Sequence, residues 1–406
     1  MPPETPKPAS PVQKAAPGTF IQELPGQPVA ITAADHSAAA FVGPTLKGPA
    51  DGTPVPVTSL AEFVAVNGDL WDLTAAGRPA RNYVALAAKG FFDNGGQRLY
   101  ISRPQNSGSN DPASLTAEDY AQALARLEDI PDISVVAAPG AHLWNAQGKD
   151  SVLPIHAALI AHVSRPQAYR FALLDPPQGS SLADLQALRA QLDSSYAALY
   201  CPWLVISNPL PDATTRPEIL LPPSGFVAGI YMRTDLKQGP WKAPSNEAVM
   251  GAVGVEMALH ATDTDTLNQA GIDTIQSFPG RGTVVWGART VSSDPEWRYI
   301  SVRRYVLYLE RSIDLGTQWA VFEPDSESLW QAVQSSISSF LMNEWRKGAL
   351  TGSKPEEAFF VRCDRTTMTQ SDLDDGRLVC MIGVALLRPA EFVIFRISHL
   401  TQGTLS

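Results

Sequence analysis

Cysteine is scarce in this chain of 406 residues: Cys201, Cys363 and Cys380 sit far apart in sequence and include no CxxC pair. That spacing indicates neither a disulfide framework nor a thiolate zinc site, and reduced cytoplasmic thiols are the default expectation. Long apolar runs are lacking as well. No stretch approaches the roughly 20 continuous apolar residues needed to cross a bilayer, so no membrane insertion by this chain is expected. The opening Met-Pro-Pro-Glu-Thr-Pro-Lys lacks the apolar run of a signal peptide, and a role outside the cell would need another exit. There is also no basic cluster. Lys and Arg number 31 against 41 Asp and Glu, for a net charge of −10, so nothing is set up to neutralise several phosphates and no nucleic-acid partner is expected.

The devices of motif-bearing enzymes are missing too. The sequence has no GxGxxG after a strand, no GxxxxGK[ST] loop, no HExxH, no GxSxG and no EF-hand loop. These absences exclude only those chemistries, so the remaining candidates need weighing one by one. His156 and His162 are six apart, about 600° around a helix and so about 120° off a common face, poor for shared metal binding; two surface or boundary histidines are the simpler account. His260 precedes Thr262-Asp263-Thr264-Asp265, a set of nitrogen and oxygen donors better explained as a helix end followed by a polar loop. Cys201 lies between Tyr200 and Pro202 at the mouth of an expected strand, where a nucleophile could sit, but no assisting base is identifiable and a buried structural thiol is favoured. Nothing in their spacing makes Glu256 and Glu310 neighbours. Asn94-Gly95-Gly96 comes between a helix and a strand, the reverse order of a phosphate loop, and reads as a tight connection. Pro279-Gly280-Arg281-Gly282 is a turn in which Arg281 could meet a carboxylate of another subunit. No catalytic residue, metal or cofactor is expected.

What is present is a globular composition, 44% apolar and 18% charged, at a length that calls for two or three compact units. Residues 1–17 hold six prolines, no aromatic residue and no apolar period, the marks of an extended lead. Residues 29–42 predict one or two strands broken near Asp35. A helix is expected over 82–90, then a strand over 97–101, with a polar loop and a domain boundary at 104–114. Thr116 and Asp119 form a capping box for a helix that turns Tyr120, Leu124 and Leu127 to one side. Strand 133–137, helix 153–163, strand 169–174, a helical leucine trace from Leu182 through Leu192, Tyr196 and Leu199, and strand 203–206 follow. That alternation is α/β with a largely parallel sheet.

The pattern weakens over 262–282 and returns at 283–286. A helix over 298–313 carries Arg303 and Arg304 in its first half, against the dipole, so one or both should have carboxylate partners. The strongest element is a helix over 326–347, capped by Asp325, with Leu329, Val333, Ile337, Leu341 and Trp345 as its stripe and Gly348 as its stop. Strands near 359–363, 378–386 and 391–397 close the chain.

Two β-prone segments, 17–24 and 391–397, stand at the two termini and suggest a subunit that joins copies of itself. Together with these, several short runs carry a family resemblance: Pro17-Gly18-Thr19-Phe20-Ile21-Gln22-Glu23; Ala40-Phe41-Val42-Gly43 with Gly48-Pro49; Phe91-Phe92-Asp93-Asn94-Gly95-Gly96 before Tyr100; Arg303-Arg304-Tyr305; Glu310-Arg311-Ser312-Ile313; Trp319-Ala320-Val321-Phe322-Glu323-Pro324; Leu329-Trp330; the Trp345 to Leu350 region; Ala358-Phe359; and Pro389-Ala390-Glu391-Phe392-Val393-Ile394-Phe395. The chain resembles contractile tail sheath proteins of phage tails, R-type bacteriocins and phage-tail-like injection systems, over nearly its whole length.

The resemblance implies an α/β multidomain subunit whose core is built from both chain ends, with an inserted α/β domain of subtilisin-like scaffold and extended terminal arms. The expected divisions are a linking arm at 1–28, an N-terminal part of the core at 29–103, the central domain at 104–282, a C-terminal conserved core at 283–398 and a tail at 399–406. It implies stacked six-subunit rings around an inner tube, contraction triggered at a baseplate, and partners that include copies of itself, the inner tube, baseplate and tail-terminator proteins. Assembly in the cytoplasm is expected, with release by lysis. No triad accompanies the subtilisin-like scaffold, so the likeness concerns architecture. The chain is short beside large phage sheaths, which favours a compact injection system or bacteriocin.

By the same resemblance, Thr19, Phe20, Ile21, Gln22, Glu23 and Leu24, with Phe392, Val393, Ile394, Phe395 and Ile397, are candidates for arms that lend strands to neighbours. Val393, Phe395 and Ile397 share one strand face and Phe392, Ile394 and Arg396 the other, so such a strand must be covered. With no nucleotide site visible, the energy of contraction is expected in alternative intersubunit packings. Arg303, Arg304, Glu310, Arg311, Asp372, Asp374 and Asp375 are the interface-charge candidates, with solvated surface charge as the simpler account of each. Two alternatives stay open: a non-contractile tube or capsid protein, and a degenerate subtilisin-like hydrolase.

Overall fold

A computed structural model describes residues 29–49, 51–105, 111–143, 148–210 and 216–391. In chain order the regular elements are β1 (Ala38–Val42), β2 (Val55–Val57), α1 (Leu60–Asn67), β3 (Leu73–Ala75), β4 (Arg78–Ala80), α2 (Tyr83–Asp93), β5 (Arg98–Ser102), α3 (Ala117–Ala125), β6 (Ile133–Ala137), α4 (Val152–Val163), β7 (Phe171–Leu174), α5 (Leu182–Arg189), β8 (Ala197–Cys201), β9 (Leu204–Ser207), β10 (Glu218–Leu221), α6 (Ser224–Lys237), β11 (Ala252–Val255), α7 (Ala261–Gln269), β12 (Asp273–Phe278), β13 (Gly282–Trp286), α8 (Ile300–Thr317), α9 (Glu327–Arg346), α10 (Pro355–Ala358), β14 (Phe359–Arg362), α11 (Gln370–Asp374) and β15 (Met381–Val384).

Local chemistry starts and stops several of these where the sequence predicts. Thr116 and Asp119 form the expected capping box on α3, with Thr116 N–H donating to Asp119 at 2.8 Å, and Ser181 with Asp184 does the same for α5. Asn82 caps α2. Helix α9 departs from expectation by one residue. Ser326 is its cap, accepting from Leu329 N–H, whereas Asp325 accepts from the Trp330 indole.

Strand order β13-β12-β8-β7-β6-β1-β5-β2 builds an eight-stranded sheet. Pairing is parallel from β12 through β5, and the outer strands β13 and β2 run antiparallel to their neighbours. Side chains alternate between two cores, as the period of a strand requires. Phe41, Phe171, Leu173, Tyr200 and Ile275 face one layer, with α2, α6 and the small β10-β9-β11 sheet. Val42, Val136, Leu174, Leu199 and Cys201 face the other, with α3, α4, α5 and α7. Strands β1, β2 and β5, all from residues 29–103, lie in the same sheet as the later strands.

Helices α2 and α6 approach so closely that glycine is required between them. A Cβ on Gly229 would lie 2.3 Å from the Phe91 carbonyl oxygen, and one on Gly225 would lie 2.5 Å from Ala87 Cβ. Helix α6 has no polar stripe because it is covered on nearly every side.

Helices α8 and α9 and the β14–β15 hairpin form a separate cluster around Tyr305, Tyr308, Ile337, Phe340 and Leu341. Ile31, from the other end of the chain, packs against it, so both ends of the chain contribute to this unit.

Other elements differ from the sequence expectation, and α2 runs on to Asp93 past the expected stop at Gly90. Of 29–42 only β1 is a strand, because Asp35 turns the chain by accepting from Ser37 N–H and hydroxyl at 3.0 and 2.7 Å. The leucine trace over 182–199 is broken after Arg189, and Leu199 is a strand residue. Residues 262–282, expected to be irregular, hold α7 and β12. Strand 378–386 shrinks to β15. The segments 17–24 and 392–397 lie outside the described residues.

Candidate functional site

Helix α8 carries most of the charge candidates, and its apolar stripe forces part of that charge inward. Arg304 is buried and binds Asp235 of α6 through two hydrogen bonds, 2.9 and 2.5 Å long, with the Tyr231 ring 4.5 Å from its guanidinium carbon. This is the expected carboxylate partner. Arg303 makes no close ion pair among the described residues; it feels the charge of Glu310 and is buried over two rings, 3.7 Å from the Tyr196 centroid and 4.3 Å from that of Trp297. Arg311 is also buried, beside Asp314 and Asp132. Of the α8 candidates only Glu310 is exposed. The groups that cover Arg303 and Arg304 belong to their own subunit.

The acidic turn lies elsewhere, on α11. Asp372 completes a capping box with Thr369 and pairs with Arg377 at 3.0 Å. The Thr369 hydroxyl and amide and then Arg377 hold its carboxyl down to about 2. Asp374 and Asp375 are exposed, the first accepting from Gln370 and the second 2.8 Å from Arg377.

Both termini leave the described body at anchored points. Near the start, Ala34 N–H donates to Ser312 Oγ at 3.0 Å and His36 meets the Tyr308 ring edge-on at 5.1 Å. Gly316 lets this segment lie directly on α8, since a Cβ there would be 2.6 Å from Ile31. Near the end, Glu391 is gripped by Arg289 at 2.8 and 2.6 Å and by the Tyr299 hydroxyl at 3.3 Å. Arg289 is itself placed by its backbone N–H, which donates to the buried Asp273 at 2.8 Å.

Between these anchors the β14–β15 hairpin is a two-stranded sheet, and among the described residues no third strand joins it. Phe360 (50% exposed) and Met381 (51%) stand on its outward face with Arg362, while Leu350 and Thr351 meet only the continuation of β15 at Leu386 and Ala385.

The residues considered for chemistry take structural places. His156 and His162, expected at the surface or its boundary, are buried. Burial, aided by Arg170 and Arg165, pushes His162 down to about 3. Its Nε2 accepts from Arg170 at 2.7 Å, since a guanidinium only donates. Burial does the same to His156, with His142 adding to it. His260 precedes α7, where Asp263 accepts from its N–H at 3.0 Å. Cys201 is buried, and burial pushes its thiol up. Glu256 accepts from Gly179 N–H. Asn94 ties the α2–β5 turn to Met250 through bonds of 2.8 and 3.1 Å. Arg281 stacks over Phe278 and Trp286 and donates to Asn246.

The sequence did not reveal one polar cluster. Ser224, at the start of α6, gives its hydroxyl proton to Asp175 at 2.6 Å and its N–H to the same carboxylate at 2.9 Å. His142 and His156 line the small cavity beside Asp175. Burial lifts Asp175 to about 7 against the pull of those two bonds. Ser224 is fully buried and bonded to a carboxylate rather than to an imidazole, so its oxygen is neither activated nor reachable. Among the described residues no group of three or more His, Cys, Asp or Glu is placed to hold a metal ion, and no helix is long and apolar enough to cross a membrane.

A parallel sheet in two helical layers, a second unit built from both chain ends and anchored exits at each define a structural subunit. Comparison with known proteins agrees. The phage tail sheath protein central domain matches residues 113–291 and the phage tail sheath C-terminal domain residues 292–399. The chain is 26% identical over 274 residues to a putative prophage major tail sheath protein of Pseudomonas aeruginosa, spanning 65% of this chain and 68% of that one. It is 24% identical over 338 residues to the tail sheath protein of Vibrio phage KVP40, covering 47% of that longer protein. Among solved structures, a chain of the anti-feeding prophage helical sheath in its contracted state superposes with a TM-score of 0.75 at 28% identity, covering 95% of this chain and 99% of that one. A chain of an extracellular contractile injection system, the PVC sheath complex in its contracted state, gives 0.73 at 26%, covering 96% and 98%.

The chain belongs to the contractile tail sheath protein family. It is a structural subunit of a contractile sheath and a component of a phage tail or phage-tail-like particle.

Proposed function

We propose that this subunit polymerises as stacked six-membered rings around an inner tube, and that shortening and widening of the stack drives the tube through a target envelope. The observation that carries this is the near-complete, mutual coverage with sheath chains of two contractile particles, at 26% and 28% identity. A chain of the anti-feeding prophage baseplate aligns equally fully, over 96% of this chain and 100% of that one, which supports baseplate contact. An inner tube protein and a tail terminator complete the set of partners, with assembly in the cytoplasm and release by lysis.

Linkage is assigned to the termini. Thr19 to Leu24 and Phe392 to Ile397 add strands to neighbouring subunits, and the β14–β15 hairpin is the natural acceptor because among the described residues no third strand joins it and Phe360 and Met381 on its outward face are exposed. Such a link keeps its hydrogen bonds while the residues flanking it rotate, so rings can move without separating. The subunit has no catalytic role in this scheme. The buried Ser224–Asp175 pair is sealed in the core, which leaves that serine no route to a substrate.

Negative-stain microscopy of the purified chain, with and without the cognate tube protein, tests the scheme. Ordered tubes that become shorter and wider under acid, heat or denaturant are expected; polymers of one invariant length would overturn contraction. Deletion of residues 1–24 should leave a folded monomer that forms no ordered tubes, and unchanged tubes would reject the N-terminal link.

A further inference from the structure

The three cysteines are free thiols, but two of them are not far apart in space. The β14–β15 register pairs Arg362 with Met381, and one more step along both strands sets Cys363 opposite Cys380. Ala385 N–H donates to the Ala358 carbonyl, which fixes the alternation of the ladder. Positions 358/385, 360/383 and 362/381 are then the hydrogen-bonded pairs, and 363/380 falls on a non-hydrogen-bonded pair. There the two Cα atoms approach to about 4.5 Å with side chains on one face, inside the range of about 4.4–6.8 Å that a disulfide spans. Each thiol is the leading influence on the other's ionisation, raising that of Cys363 and lowering that of Cys380, as expected of neighbours. They pack in one cluster with Trp330 and Met368.

We infer that Cys363 and Cys380 are a built-in dithiol that closes to a cross-strand disulfide when the particle meets a low-molecular-weight disulfide. The accessible partner is Cys380, which is half-buried, whereas Cys363 is buried. The Cys380 thiolate attacks one sulfur of the reagent RS–SR, forming a mixed disulfide and expelling RS⁻. Cys363 loses its proton and attacks the Cys380 sulfur, expelling the second RS⁻. The two cysteines give up two electrons and two protons, and the reagent leaves as two RSH. Cys201 takes no part because it lies in the core between the central sheet and its helical layer. The bond closes the loop that carries α11 and the Asp372–Arg377 turn, fixing the acidic turn to the hairpin in an oxidising medium. This inference does not depend on the sheath assignment.

The test uses the folded full-length chain, incubated with oxidised glutathione, then alkylated under denaturing conditions and analysed by intact mass and peptide mapping. Loss of two alkylatable thiols, one crosslinked peptide pair joining Cys363 to Cys380, and an alkylated Cys201 are expected. In the Cys363→Ser variant, which keeps the size of the side chain, the reaction should stop at a glutathione adduct on Cys380. Retention of all three thiols in the wild type, a stable glutathione adduct on Cys380 with Cys363 free, or a crosslink to Cys201 would each overturn the inference.

Discussion

Arg304 and Asp235 are joined by two hydrogen bonds in a site where each side chain keeps 4% of its exposure. The pair ties α8, in the C-terminal unit, to α6, which covers one face of the central sheet. Because both charges are desolvated, loss of one leaves the other uncompensated. Arg304→Met is expected to cost about 3–5 kcal/mol in urea unfolding, and Arg304→Met with Asp235→Leu to recover much of that. A single variant within about 0.5 kcal/mol of wild type would show that the pair is not structural.

Asp175 should give the subunit an unusual pH response. Its ordinary value is 3.8, and burial raises it to about 7 in the folded state. Between these values the folded chain holds a proton that the unfolded chain has released, so this group's stabilisation falls as pH rises from about 4 to 7 and is flat above. The full swing is on the order of 4 kcal/mol. Asp175→Asn, which can still accept from Ser224 N–H, should flatten the profile in that window. Equal slopes for variant and wild type would refute the assignment.

His162 works with the opposite sign. Its folded value is about 3 against an ordinary 6.5, so the unfolded chain binds the extra proton as pH falls below about 6.5. Stability contributed by the neutral ring is then lost progressively towards pH 3. His162→Gln, able to accept from Arg170, should reduce the acid sensitivity measured by denaturant midpoints at pH 4 and 7. No change in that difference would count against the buried neutral imidazole.

The Glu391 tether is predicted to matter for assembly more than for folding. Arg289 and Glu391 keep 11% and 14% side-chain exposure, so Glu391→Ala should lower monomer stability by about 1–3 kcal/mol and give irregular tubes in micrographs. Regular tubes of wild-type length would show that the C-terminal exit needs no anchor.

Lysine on the outward face of the hairpin gives a cleaner separation. Met381→Lys and Phe360→Lys touch no buried partner network, so the monomer should melt as wild type while tubes fail to form. Tubes of normal order would remove the hairpin as acceptor.

Much of this was legible in the sequence because it is encoded locally. Thr116 with Asp119 and the long apolar stripe of α9 each announce themselves within a few residues, and the strand–helix alternation gives the parallel sheet. What escaped is encoded by tertiary packing. Helix α6 has no polar face to betray its period, and Leu199 continued a leucine spacing by coincidence after α5 had ended. The Arg304 partner was anticipated as a carboxylate, but Asp235 is 69 residues away in sequence and belongs to the helix that escaped notice. Arg303 illustrates the other limit, since two aromatic rings cover it where helix electrostatics alone called for a paired acid, with Glu310 acting only as a neighbouring charge. The Cys363–Cys380 proximity needed a hairpin register that spacing does not supply.

The contact between Ile31 and Gly316 has a mechanical consequence. A tensile force on the leading segment reaches α8 sideways, through the Ala34–Ser312 bond and the glycine seat, and passes by Arg304 into the helix backing the sheet. Tugging on that terminus therefore loads the seat on α8 in shear before the pull reaches β1.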